Sequence, residues 1–143
     1  MIVWFFHCKG GEKMEDVKIK LAILWLIKDL AFVGSGLLVL YEPGGIQDMI
    51  SGYMYGSMQL GDATSLLLTS LSLVFLIMAI LSLNLKNSLN RWANIIVAIV
   101  MMIISIISTI SLGTLTITHY LNEAFQFVIL ILIVWFAWTW KED

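Results

Sequence analysis

Lys28 and Asp29 form a charged pair inside a long apolar segment of the sequence. Charged side chains are costly within a bilayer, and those that occur there commonly belong to ion or substrate pathways. Consecutive positions on a helix point about 100° apart, so the two side chains do not pair on one face. In a functional interpretation, Asp29 takes up and releases a proton, and Lys28 modulates this titration. In a structural one, Lys28 extends toward the headgroups and Asp29 accepts a hydrogen bond from a hydroxyl on another helix.

Small hydroxyl side chains recur at helical spacing in three of the apolar segments and give this pair polar neighbours. They could line a polar path that ends at Asp29. They could equally allow close helix packing, since hydrogen bonds inside membranes contribute only about 0.6 kcal/mol each. The candidate intramembrane site comprises Lys28, Asp29, Ser35, Thr69, Ser72, Ser105 and Thr109.

A second polar group, His119, Asn122, Glu123 and Gln126, precedes the last apolar run. His119 and Glu123 are four residues apart and share a helix face. One histidine with scattered carboxylates is a weak metal signal, and a carboxylate near a helix N-terminus is favoured by the helix dipole alone. We therefore expect a solvated cluster at the outer interface and no metal.

Sequence motifs for catalysis are missing from this chain. It contains no CxxC, HExxH or GxSxG motif and no phosphate loop, and it has a single cysteine. The formal net charge of −2 without a basic patch argues against nucleic-acid binding. The sequence predicts a protein that is not an enzyme and that holds no cofactor.

Composition predicts the elements that position these residues. Of the 143 residues, 60% are hydrophobic and 13% are charged, and the mean hydropathy is +0.95. A soluble domain is nearer half apolar and a quarter charged. Segments of about 20 apolar residues cross a bilayer as helices, because every backbone polar group must be bonded within the segment. We expect an all-α, antiparallel four-helix integral membrane bundle formed by residues 14–143, with spans at about 19–41, 63–85, 91–113 and 119–140.

The predicted loops differ in length and character. The short polar turn at 84–90 predicts that spans 2 and 3 are antiparallel neighbours. In the longer first outer loop, Pro43-Gly44-Gly45 ends the first helix. Ile46, Met49 and Ile50 then recur at helical spacing, which predicts a short interfacial helix that packs over the bundle.

Loop charges predict the orientation. Lysine and arginine outside the spans lie in the N-terminal segment, the turn between spans 2 and 3, and the C-terminus. The positive-inside rule then places both termini in the cytoplasm, as in a multi-pass protein of a prokaryotic cytoplasmic membrane. Arg91 and Trp92 open the third span and are expected to anchor it to lipid at the inner face.

The first thirteen residues, MIVWFFHCKGGEK, lack the features of a secretory signal. Lys-Gly-Gly-Glu-Lys-Met is what AAA-GGA-GGT-GAA-AAA-ATG would encode, and GGAGGTG is a prokaryotic ribosome-binding sequence. We expect residues 1–13 to be a translated leader before a true start at Met14. An ordinary cytoplasmic tail is the alternative.

Three segments carry a resemblance to a known group of proteins: KLAILWLIKDLAFVGSGLLVLYEPGGIQDMISG, LKNSLNRWANII and LILIVWFAWTW. They resemble a family of small uncharacterised prokaryotic membrane proteins, which implies a four-helix topology and no established activity. A looser likeness to DoxX-like proteins rests on topology and on the oily first loop.

Function remains open between three readings. The first is a polytopic membrane protein of unknown, non-enzymatic activity whose partners are membrane lipids and further copies of itself. The second is a homo-oligomeric proton- or ion-coupled small-molecule transporter that uses Asp29 and Lys28. The third is an accessory subunit of a membrane complex.

Overall fold

Four long helices dominate the computed structural model, which describes residues 13–54, 58–112 and 116–140. Each is long and apolar enough to cross a membrane, and the predicted all-α four-helix bundle is confirmed. The predicted leader, apart from Lys13, lies outside the described residues. In chain order the elements are α1 (Lys13–Leu38), α2 (Gly45–Ile50), β1 (Tyr53–Met54), β2 (Met58–Gln59), α3 (Asp62–Asn84), α4 (Asn87–Leu112) and α5 (Ile117–Thr139).

Local chemistry explains where the long helices stop. A 3-10 turn, Val39–Tyr41, extends α1, and the segment turns at Pro43. Gly44 takes φ +87°, a left-handed conformation that glycine adopts without strain, and it starts α2. At the same end of the bundle, the Thr116 hydroxyl caps α5 by accepting from the backbone N–H of His119 at 3.3 Å.

The lateral order of the helices differs from one prediction. α1 packs against both α3 and α5, and α4 packs against α5. α3 and α4 make few contacts, and their hydrogen bonds lie beside the turn that joins them. The prediction that the turn at 84–90 makes spans 2 and 3 antiparallel neighbours holds only beside the turn, because a short turn constrains only the helix ends that it connects.

Packing is concentrated in one half of the bundle. We call the end with the α3–α4 turn the turn end and the end with α2 the loop end. The hydrophobic core is formed by the turn-end halves of all four long helices, with Trp25, Phe75, Ala98 and Ile133 among its buried members. Trp25 stacks on Phe75 with ring centroids 6.0 Å apart. Most large side chains on the outward faces are exposed, as suits a lipid environment.

At the loop end, a short helix and a two-stranded antiparallel ladder follow α1. The predicted helix in this loop is present as α2, although Ile46 and Ile50 on it are exposed. Packing over the bundle is carried by Met54 of β1, which is buried and lies close enough to Gly36 to contact a Cβ added there. The sequence analysis did not predict the strands, which contain only two residues each.

A buried polar network holds the turn end together. The Trp25 indole N–H donates to Asn94 Oδ1 at 2.6 Å, and the Ser82 hydroxyl donates to the same oxygen at 3.1 Å. Asn94 Nδ2 donates to Asn90 Oδ1 at 2.7 Å, and Asn90 Nδ2 donates to the Ser82 carbonyl at 2.6 Å. Lys18 adds a bond to the Leu85 carbonyl at 2.9 Å. Asn94 thus joins α1, α3 and α4 at one point.

Replacing Asn94 by alanine should lower the free energy of unfolding by about 1–3 kcal/mol, because Trp25, Ser82 and Asn90 lose buried partners together. Reversible unfolding in mixed detergent micelles measures this. Asn84→Ala is the matched control, since Asn84 is exposed and, among the described residues, its side chain bonds the Ile80 carbonyl of its own helix. Equal losses for the two variants would contradict the role given to the network.

Candidate functional site

Lys28 lies in the bundle interior with 2% of its surface exposed. Its ammonium donates to Gln126 Oε1 on α5. The same nitrogen lies 4.5 Å from the centroid of the Phe75 ring and 5.5 Å from that of Phe32. Ring faces attract cations, so one amide oxygen and two rings share the charge. The side chain therefore turns toward neighbouring helices and not toward the headgroups.

Gln126 and Glu123 lie one turn apart on α5 and face the same interior. Gln126 is 1% exposed, and its Nε2 lies 3.5 Å from Glu123 Oε1, the limit of a hydrogen bond. Glu123 Oε2 is buried and has no hydrogen-bond partner among the described residues. The Gln126 side chain thus directs its carbonyl oxygen to Lys28 and its amino group to Glu123. One of the two Glu123 carboxylate oxygens is left without a partner among the described residues.

A cavity of about 60 Å³ adjoins these groups and is lined by all four long helices. That volume holds a few water molecules or one small polar group. It lies where the packed turn-end half gives way to the looser loop-end half. Its polar lining consists of Lys28, Ser105, Ser108, Glu123 and Gln126.

Asp29 belongs to a different contact. It is half-buried, and its Oδ1 accepts from the Ser72 hydroxyl on α3 at 2.7 Å. Lys28 and Asp29 therefore face α5 and α3 respectively, as their adjacent positions on a helix dictate. The carboxylate of Asp29 has a partner, whereas the second oxygen of Glu123 has none in the part of the chain that the structure describes.

The predicted hydroxyl residues divide between two places. Ser35, Thr69 and Ser72 line an open groove of about 320 Å³ between α1 and α3, beside Met54. Ser105 lines the central cavity instead. Thr109 donates to the Ser105 carbonyl of its own helix at 2.9 Å. The structure thus does not bring these residues into one continuous path.

The predicted outer cluster also divides. His119 is buried near the loop end, and Asn122 Nδ2 lies 3.5 Å from the Ala31 carbonyl on α1. Glu123 and Gln126 point inward and share the site of Lys28. Within the described ranges no three histidine, cysteine, aspartate or glutamate side chains meet as a metal site requires.

Sequence reasoning missed that Gln126 is the partner of Lys28. One signal could have found it: Glu123 and Gln126 are three residues apart and therefore share a helix face. In an antiparallel pair of spans, Gln126 also lies at about the depth of Lys28.

Arg91 and Trp92 lie at the turn end. Trp92 is 53% exposed, and the Arg91 guanidinium lies 5.6 Å from the Trp138 ring centroid. The Nε atom of Arg91 is buried without a partner among the described residues. Their role as a lipid anchor stays a prediction.

Gln126→Leu should lower the free energy of unfolding by about 1.5–3 kcal/mol, because it leaves a buried ammonium without its acceptor. Lys28→Met should cost much less, and Lys28→Met with Gln126→Leu should recover most of the loss, since an apolar pair replaces a charged one. Unfolding of the two single variants and the double variant in detergent gives the coupling energy.

Gln47→Leu, at an exposed position on α2, controls for the added hydrophobic surface. Strictly additive effects of the Lys28 and Gln126 substitutions would show that the two side chains do not depend on each other.

Comparison with known proteins finds a match to one family. The profile of a family of unknown function, DUF6326, matches residues 9–143, which is nearly the whole chain. No curated protein and no solved structure matches. None of these comparisons shows a similarity to DoxX-like proteins.

Proposed function

The chain belongs to DUF6326, a family of unknown function, and from its interior polar site we propose that it is a membrane carrier that exchanges a proton for a small organic cation at Glu123. The observation that carries the proposal is the buried Glu123 Oε2 beside a cavity, without a donor among the described residues. An ionised carboxylate in apolar surroundings requires a cationic or hydrogen-bonding partner, and otherwise it takes up a proton.

Charge balance in the interior favours a cation. Lys28 contributes one positive charge, and Glu123 and Asp29 contribute two negative charges when both are ionised. Gln126 and two aromatic rings already stabilise the Lys28 ammonium, while Asp29 has the Ser72 hydroxyl. Glu123 is the group with an oxygen that lacks a hydrogen-bond partner among the described residues, so an additional proton or an organic cation completes the site.

The movements of the proton and of the organic cation are coupled because both compete for the Glu123 carboxylate. A proton and an organic cation cannot both neutralise Glu123, so binding of one releases the other. Exchange requires that the site reach each side of the membrane in turn, and the loosely packed loop-end half is the part able to move. This assigns to Glu123 the titrating role that the sequence suggested for Asp29, and it keeps Lys28 as the modulating charge.

The lining suits a methylated ammonium head. Phe32 and Phe75 turn ring faces toward the Lys28 nitrogen, and such faces also attract quaternary ammonium groups. Both rings also line the cavity of about 60 Å³. We place the carrier in a prokaryotic cytoplasmic membrane with the turn end facing the cytoplasm, on the positive-inside rule, and as a homo-oligomer.

In proteoliposomes that contain a pH-sensitive dye, external tetramethylammonium should drive proton efflux through the wild-type protein. This probe keeps its charge at every pH and so does not cross the bilayer as a free base. Glu123→Gln should abolish the flux, because an amide releases no proton and carries no negative charge to neutralise the bound cation. Lys28→Met should alter the rate or its dependence on probe concentration.

Asp62→Asn is the matched control, because Asp62 is an exposed carboxylate in the first turn of α3. It should transport as the wild type does. The proposal fails if tetramethylammonium drives no flux through the folded wild-type protein, or if Glu123→Gln transports at the wild-type rate.

A further inference from the structure

We infer that the central cavity opens sideways into the bilayer between α3 and α4, and that its substrates are lipophilic cations whose headgroup binds at Glu123 while the hydrocarbon tail lies between these helices. The inference rests on the proposed function and adds to it the substrate class and the route of access. It stands on the lateral packing of the helices and on the exposure of residues that line the cavity.

The packing leaves this side of the bundle open. α1 is packed against α3 and α5, and α4 against α5, apart from the open groove between α1 and α3 beside Met54. The fourth seam, between α3 and α4, has few contacts, and its hydrogen bonds join Ser82 to Asn90 and Asn94 at the turn end. Toward the loop end from Phe75 and Met101, no such bonds join the described parts of the two helices.

Residues of α4 that line the cavity also reach its outer surface. Ile104 is 38% exposed, Ser108 is exposed, and Ser105 between them is half-buried. All three line the cavity, and Leu71 of α3, half-buried, lines it from the other side. A side chain that borders an interior cavity and is also accessible from outside marks an opening, and here the opening faces the hydrocarbon region of the spans.

The headgroup and the tail of the substrate suit different surroundings, the polar cavity and the apolar bilayer. The cavity of about 60 Å³ holds a small headgroup, and it is too small for a long alkyl chain. A tail attached to a headgroup at Glu123 must therefore leave the cavity. Leu71 and Ile104, which line the cavity from α3 and α4, offer it an apolar exit. Hydrocarbon that stays in the bilayer throughout is never exposed to water, so transport of the tail carries no cost of hydration.

Binding of two probes to the protein in lipid nanodiscs tests this route. Tetramethylammonium reports the headgroup site, and decyltrimethylammonium reports the headgroup site together with the tail exit. After subtraction of partitioning into empty nanodiscs, the wild type should bind the decyl probe at least tenfold more tightly than the methyl probe. Glu123→Gln should lose both affinities.

Ser108→Trp should weaken binding of the decyl probe at least tenfold, since Ser108 lines the cavity and is exposed, and the indole would block the opening. Ile107→Trp is the matched control, because Ile107 is 59% exposed on the neighbouring position and does not line the cavity. It should retain the preference.

A third measurement does not depend on any variant. A decyltrimethylammonium carrying a photoreactive diazirine at the tail end should label peptides of α3 and α4, and excess tetramethylammonium should suppress that labelling. Labelling confined to α1 or α5 would overturn the inference even if Ser108→Trp does not fold.

The outcomes separate the two proposals. Failure of the wild type to bind tetramethylammonium defeats the proposed function itself. Normal binding of tetramethylammonium with no gain from the decyl chain defeats only the lateral opening, as does an affinity for the decyl probe that Ser108→Trp leaves unchanged.

Discussion

An ammonium group buried among apolar helices has to be satisfied from within the bundle, and Lys28 imposes that demand here. Its charge draws the Gln126 carbonyl from α5 and the ring faces of Phe32 and Phe75 from α1 and α3. Once Gln126 faces inward, Glu123 one turn earlier faces inward as well. The polar interior is therefore a consequence of one lysine that does not reach the headgroups, and α1 is central because it carries that lysine.

The Lys28 ammonium and its partners lie at the boundary between the packed turn-end half of the bundle and the looser loop-end half. On the turn-end side, Trp25 and Asn94 lie in a packed core with a bonded polar network. On the loop-end side, buried residues are scarce, and the buried Met54 packs beside Gly36 of α1. A site between a tightly packed half and a loosely packed half can open without the loss of the fold, as the proposed exchange across the membrane requires.

The helices could be predicted because charges and turn residues interrupt an otherwise apolar chain, and backbone satisfaction in lipid leaves helices as the outcome. The lateral order of the helices could not be predicted, because α3 is apolar on nearly every face and its sequence does not mark the side that meets α1. The short ladder of Tyr53–Met54 with Met58–Gln59 has too few residues for an alternating pattern. The charged residues were found, but the pairing of Lys28 with Gln126 depends on helix rotation, which spacing within a single span does not fix.

The same reasoning decides between the two carboxylates of the interior. Asp29 drew attention because it adjoins Lys28 in sequence, yet adjacency along a helix separates side chains, and Asp29 bonds Ser72 on the opposite seam. Glu123 stands far from Lys28 in sequence and joins it through Gln126. A group with a complete set of partners changes little when a ligand arrives, whereas one with an unmet oxygen gains a partner from the ligand. The reactive carboxylate of such a bundle is therefore better sought by its missing hydrogen bond than by its nearness to another charge in the sequence.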